Sequence, residues 1–537
     1  LALTSTATET ASAPVVRRGP SPLRLIGLLA ALVAVLPLVG VVAAALTGET
    51  ADIAASDLIR YALTSLALAA LVAAITGLLG SIAAWLIVMH RFPGWGVFEW
   101  ALALPFAMPA FAVAYAYADL FDVAGELNAW LRASAGFALP FQMRSLCGAG
   151  FILGFAFFPY VYLAMRAAFV NLPVHALEAA RSLGASPRRA FLAVAVPMAR
   201  PALAAGVALA VMETLADYGA VQFLSVQTLT TGVVRAWFVY GSLASAAQFA
   251  LPLLGAAALL LWIERAGRRS RSYGASAAKW RPLPVTDLKG PKAFLASSFC
   301  LLLLTLGLLL PAGWLAWSSI DVQPDWPRLI SAAKNTLTLG IAGAAVTVTL
   351  ATALALAAKK LPLTARVASV GYATPGAVMA IGLLLPAAWI WSVVPGGSAN
   401  LAAGLGLLLY AYAARLMAAA LEPVDAGLSR VTPSMVHAAR GLGASETGAA
   451  WRVQLPIAAP ALFTAAIVVL VDLLKELPAT LILRPFNFDT LAVIADNYAR
   501  DERLANAGWP SLILVALALP PVIWLSRKAA HARPGSE

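Results

Sequence analysis

Apolar residues in this chain gather into long runs separated by short polar breaks. The first set falls at about 23–46, 58–89, 97–119, 147–168, 201–224 and 247–263, and the second at about 294–318, 334–358, 366–392, 401–421, 459–483 and 509–526. Each run approaches or exceeds the roughly 20 residues that carry a helix across a bilayer. Lipid offers no partner to an unpaired backbone group, so runs of this kind are expected to be helices rather than open strands. The pattern predicts an all-α polytopic membrane protein with about 12 transmembrane helices.

Composition agrees. Of 537 residues, 61% are hydrophobic and 12% charged; soluble domains carry roughly twice that charge. Mean hydropathy is +0.84. The net charge of +12 would suggest nucleic acid in a soluble protein. Here the basic residues sit in short breaks, where they set topology. Arg17 and Arg18 close a polar N-terminal segment, and Arg265, Arg268, Arg269, Arg271, Lys279, Arg281, Lys289 and Lys292 crowd one central stretch. Asp52, Asp57, Asp119, Asp122, Asp321 and Asp325 fall in the alternate breaks. This asymmetry predicts that both termini and the central linker are cytoplasmic. The expected organisation is a tail 1–22, a six-helix half 23–263, a basic linker 264–293, a second half 294–526 and a tail 527–537. The run from Leu23 is read as the first span, since no convincing cleavage site follows it. Cys147 and Cys300 lie in apolar runs without metal or disulfide spacing.

The chain repeats itself. Glu178 to Leu203 reads EAARSLGASPRRAFLAVAVPMARPAL, and His437 to Leu462 reads HAARGLGASETGAAWRVQLPIAAPAL. Ala179, Ala180, Arg181, Leu183, Gly184, Ala185, Ser186, Pro197 and Pro201 align without a gap onto Ala438, Ala439, Arg440, Leu442, Gly443, Ala444, Ser445, Pro456 and Pro460. Weaker echoes pair Pro109-Ala110 with Pro375-Gly376 and Ser65-Leu66 with Thr336-Leu337. Each half holds an even number of spans, so the copies share one orientation, unlike inverted-repeat transporters. Both copies fall in basic breaks, on the side predicted to be cytoplasmic. In each, a helix should stop at the glycine, whose backbone turns freely, and a second should start near Pro197 or Pro456, where proline is tolerated.

This spacing resembles the EAA loop of ABC importer permeases, carried by Glu178, Ala179, Ala180, Gly184, Val194, Val196 and Pro197 and again by His437, Ala438, Ala439, Gly443, Val453, Leu455 and Pro456. The resemblance implies a pair of coupling helices that dock on two copies of a cytoplasmic ABC ATPase, with a periplasmic substrate-binding protein as a second partner. His437 departs from the leading glutamate and would make the two docking sites unequal. The chain has no GxxxxGK[ST] phosphate loop. Hence ATP and Mg are expected on the partner, with no cofactor and no catalytic residue on this chain.

Charge at membrane depth is costly, about 2.5–3.5 kcal/mol per group at a helix centre. Yet the fifth run carries Glu213 and Asp217, and the eleventh carries Asp472, Lys475 and Glu476. The repeat maps Glu213 onto Asp472 and Asp217 onto Glu476. Four-residue spacing predicts two carboxylates on one face of each helix. These faces could line the substrate pathway, where hard oxygen ligands suit a highly charged cation; no metal site is assigned. The alternative is structural, with Lys475 neutralising an acid and the other carboxylates bonded to backbone. TLADYGAVQFL (Thr214 to Leu224), TTGVVRAWF (Thr230 to Phe238) and LLKELPATLILRPFNFDTLA (Leu473 to Ala492) are similar to segments of the fused permeases of ferric-iron ABC importers. Fused thiamine permeases are close relatives. An ion-coupled secondary transporter using Asp217 or Glu476, and a membrane scaffold, are the readings from other classes. Neither accounts for the twice-written loop.

Overall fold

The computed structural model describes residues 22–47, 55–140, 142–172, 174–186, 189, 191–269, 285–358, 371, 374–393 and 401–531. The polar N-terminal segment, most of the basic linker and the early part of the ninth run lie outside them. Among the described residues, eleven helices are long and apolar enough to cross a membrane, or twelve if a pair bent by 90° is counted as one span.

In the first half the elements are α1 (Pro22–Thr47), α2 (Ala55–Met89), α3 (Trp95–Ala101), α4 (Ala110–Phe121), α5 (Glu126–Ala135), α6 (Leu146–Val170), α7 (Val174–Ser182), α8 (Val196–Ala216), α9 (Gly219–Phe223), α10 (Leu229–Phe238) and α11 (Leu243–Arg269). The second half runs α12 (Pro291–Leu304), α13 (Leu310–Ser318), α14 (Trp326–Ala358), α15 (Gly376–Val393), α16 (Leu401–Leu428), α17 (Pro433–Gly441), α18 (Glu446–Ala449), α19 (Leu455–Leu474), α20 (Pro478–Leu483), α21 (Leu491–Arg500) and α22 (Leu504–His531). The third run is the bent one: its chain breaks around Pro105 and Pro109 before α4 begins, as proline demands. Helix α11 persists to Arg269 and α22 to His531, so helix continues into the first residues of the expected linker and C-terminal tail.

The repeat recurs as local geometry. The Ser65 hydroxyl accepts a bond from the Leu229 N–H at 2.8 Å, and the Thr336 hydroxyl accepts one from Leu491 at 3.0 Å. Thr228 and Thr490 cap the helices that follow, satisfying N–H groups that a helix start leaves open. The Pro109 carbonyl accepts from Ala112 and Val113, and Pro375 accepts from Val378 and Met379.

The halves are interlocked. Helix α1 packs among α14, α15 and α16 of the second half, with Ala30, Ala31 and Ala34 buried against Leu339, Ala351 and Leu354. A Cβ on Gly40 would overlap the Gly382 carbonyl, so the two backbones touch, the close approach small residues allow between membrane helices. The Tyr410 hydroxyl donates to the Val33 carbonyl at 2.8 Å. The exchange is reciprocal. Span α12–α13 lies against the first half, where the Tyr117 hydroxyl donates to the Leu306 carbonyl and the Trp314 indole to Asp119, each at 2.8 Å.

Candidate functional site

The two repeated loops are built alike. Helices α7 and α17 end where Gly184 (φ 86°) and Gly443 (φ 88°) turn into the left-handed region, which residues with a Cβ resist. Ser186 and Ser445 then accept bonds from the N–H groups of Arg189 and Gly448 at 3.3 and 3.0 Å. The helix does not wait for the proline, contrary to the sequence expectation. It has restarted by Phe191 and Glu446 and continues through Pro197 and Pro456. In each copy a five-residue π turn, Phe191–Ala195 or Ala450–Gln454, ends two residues before the proline. Widening the turn relieves the clash of the ring with the preceding carbonyl. Glu178, Ala179, His437 and Ala438 are exposed, and Ala180 and Ala439 half-buried. Between Arg181 and Gly184 stands Leu183, 89% exposed; its repeat mate Leu442 is 90% exposed. Two large apolar side chains thus stand free at matched positions of the repeat.

The intramembrane carboxylates converge. Glu213, Asp217, Asp472, Lys475 and Glu476 line one cavity of about 70 Å³ with Pro109, Tyr218 and Arg415. The expected shared helix face does not hold. Helix α8 ends at Ala216 and α19 at Leu474, so Asp217 and Glu476 lie beyond the helices of Glu213 and Asp472. Each turns to the short helix that follows: Asp217 accepts from the Val221 N–H at 3.1 Å, and Glu476 from Ala479 at 3.3 Å. A carboxylate is well placed at a helix start. Lys475 pairs with Asp472 at 3.1 Å. Arg415, from α16, pairs with buried Glu476 and reaches Glu213 of the other half at 4.0 Å. Among the described residues no group of three His, Cys, Asp or Glu side chains could hold a metal ion.

Above this cavity the halves are joined again. Arg500 donates to the Tyr218 hydroxyl at 2.5 Å and to Asp496 at 2.7 Å. Tyr218 borders both the carboxylate cavity and a further cavity of about 360 Å³ that Arg500 also lines. A third tie runs through Arg166, which is held within the first half by its buried pair with Glu99 at 2.7 Å. Arg166 also donates to the Ala529 carbonyl at 3.2 Å, fastening the end of α22 to the first half.

Residues 76–315 match the family described as the binding-protein-dependent transport system inner membrane component. The Fe(3+)-transport system permease protein FbpB 2 of Haemophilus influenzae is 26% identical over 462 residues, 84% of this chain and 86% of that protein. The chain resembles a fused, two-half ABC importer permease. It resembles the ferric-iron permeases over nearly its whole length. Part of it also resembles permeases named for other cargoes. The sulfate permease CysT of Escherichia coli is 35% identical over 159 residues, 29% of this chain and 56% of that protein. The molybdenum permease ModB of Escherichia coli is 30% identical over 137 residues, 26% of this chain and 58% of that protein. These relatives are named as transport permeases, and the matched family belongs to binding-protein-dependent transport systems.

Proposed function

We propose that this permease imports ferric iron delivered by a periplasmic binding protein. Two copies of a cytoplasmic ATPase, carrying ATP and Mg, would drive it through the loops at Gly184 and Gly443. Both termini and the basic linker then lie in the cytoplasm, in the inner membrane of the cell. The observation that carries the cargo assignment is the charge of the shared cavity. It holds four carboxylates against two cations, Arg415 and Lys475, a surplus of acid that favours a cation over an anion. The long similarity to the Haemophilus Fe(3+) permease supports the same cargo.

The mechanism follows from the ties between halves. Closure of the ATPases moves α7 and α17, and the helices after them carry Glu213 and Asp472 apart or together. Glu213 and Glu476 share Arg415 across the halves, so the motion re-partitions one cation between two acids. The Tyr218–Arg500 bond lies on the other side of the cavity and must part for cargo to enter from outside.

A second reading, import of an oxyanion, is favoured by Arg415 and Lys475 and by the partial similarity to the sulfate permease. Uptake of radiolabelled iron, sulfate and molybdate, in cells supplying the chain with its ATPase and binding protein, separates the two. Iron uptake that is abolished by vanadate and survives ionophore supports the proposal. Sulfate or molybdate uptake without iron uptake overturns the cargo. Ionophore-sensitive, vanadate-insensitive uptake overturns the coupling.

A further inference from the structure

A separate cavity of about 460 Å³ lies at the contact between the halves, between α6 of the first and α19 and α22 of the second. Its bore is apolar, formed by Phe106, Leu163, Val468, Val522 and Leu525. One end meets the Asp472–Lys475 pair. At the other end stand half-buried Thr464 and exposed Lys528, so this end is a mouth. The Lys528 ammonium donates to the Thr464 hydroxyl at 3.1 Å and lies 4.6 Å from the Trp524 ring. Trp524 meets Phe463 edge-on at 5.4 Å, and Arg527 covers Trp100 at 4.7 Å.

The cationic rim, with Trp524 and Phe463 beside it, thus opens onto a hydrocarbon bore. An apolar bore offers little to replace the water of a hydrated ion, and so does not suit permeating cargo. It does suit an alkyl chain. Tryptophans mark the boundary between headgroups and acyl chains. Lysines near helix ends extend toward that boundary, and an ammonium has three donors, of which Thr464 engages one.

We propose that this cavity binds one acyl chain of an anionic phospholipid, whose headgroup phosphate sits on Lys528. In the topology proposed above the mouth faces the inner leaflet, where anionic lipid attracts basic segments. The lipid lies between helices of different halves, so its retention depends on how the halves are packed.

Native mass spectrometry of the full chain in detergent, titrated with phosphatidylglycerol or phosphatidylcholine, tests this without reference to leaflet or cargo. The wild type is expected to retain one phosphatidylglycerol at concentrations where phosphatidylcholine is lost. Lys528→Gln should lower phosphatidylglycerol occupancy at least fivefold and abolish the preference. Val468→Phe, which fills the bore, should lower occupancy of both lipids. Equal retention of the two lipids by the wild type, or unchanged phosphatidylglycerol occupancy in both variants, overturns the proposal. A failure of iron uptake would leave these measurements untouched.

Discussion

Arg415 is the residue on which the intramembrane charges turn. It is 12% exposed, and the Glu476 carboxylate it serves is 5% exposed. Removing one partner of such a pair strands the other, at a cost of about 3–5 kcal/mol. Arg415→Ala should therefore lower the melting temperature of the purified chain, read by intrinsic fluorescence, and Glu476→Gln in the same chain should restore part of the loss. A double variant no better than Arg415→Ala would show that the pair is not the source. The acids were legible in the sequence because charge stands out in an apolar run and because the repeat wrote them twice. Arg415 was not: the repeat offset maps it onto Ala156, so symmetry hides it. Asp217 and Glu476 were placed on the wrong element for a related reason. Four-residue spacing reads as one helix face, but it cannot report that the helix has ended and a new one is about to be capped.

At the scale of elements, the coupling loops were the most readable part of the chain. Glycine at matched positions predicted the turn, and both glycines have positive φ. The π turns before Pro197 and Pro456 had no signal beyond the prolines themselves. Thr305–Leu309 forms a third, two residues before Pro311, so the device belongs to proline entering a continuous helix rather than to coupling. Leu183→Asp with Leu442→Asp is expected to leave the chain folded, since neither side chain packs on it. The pair should cut co-purification with the ATPase by at least tenfold on affinity chromatography. Retained ATPase would place docking elsewhere.

The second element-level prediction concerns the linker. Strand β1 (His90–Arg91) pairs in parallel with β2 (Thr286–Asp287), and His90 Nδ1 lies 2.5 Å from the Thr286 hydroxyl. Burial holds the His90 pKa below its ordinary 6.5, because the charged ring is poorly solvated there. A depressed pKa means that the folded clip prefers the neutral ring. Its contribution is present above pH 6.5 and fades as pH falls through the lower folded value. Tryptic cleavage at Lys289 and Lys292 should therefore be faster in a pulse at pH 5.5 than at pH 7.5, after correction for protease activity with an unstructured peptide. His90→Gln, which cannot take the proton, should flatten the difference.

Over the whole molecule, the span count followed from hydropathy, whereas the partners of the spans did not. Sequence halves suggest two bundles side by side; the structure instead places the first span of each half against the other half. Small residues carry this arrangement. Gly40 faces the Gly382 carbonyl and Gly27 faces Ala357, contacts that become meaningful only when the opposing helix is known. Gly40→Leu should wedge α1 away from α15. Overpacking of this kind costs about 1–3 kcal/mol. The expected readout is a larger aggregated fraction on size-exclusion chromatography, while Gly96→Ala, with open space at its Cβ, should leave the profile unchanged.

The exchanged first span has a consequence for biosynthesis. Helix α1 ends at Thr47, yet its partners α14, α15 and α16 begin only at Trp326, Gly376 and Leu401. At roughly 5–20 residues per second, the wait for its partners lasts on the order of 15–60 s. Throughout that interval its glycine- and alanine-lined surface faces lipid or insertion machinery. The nascent chain thus has to hold α1 in reserve while some three hundred further residues are made.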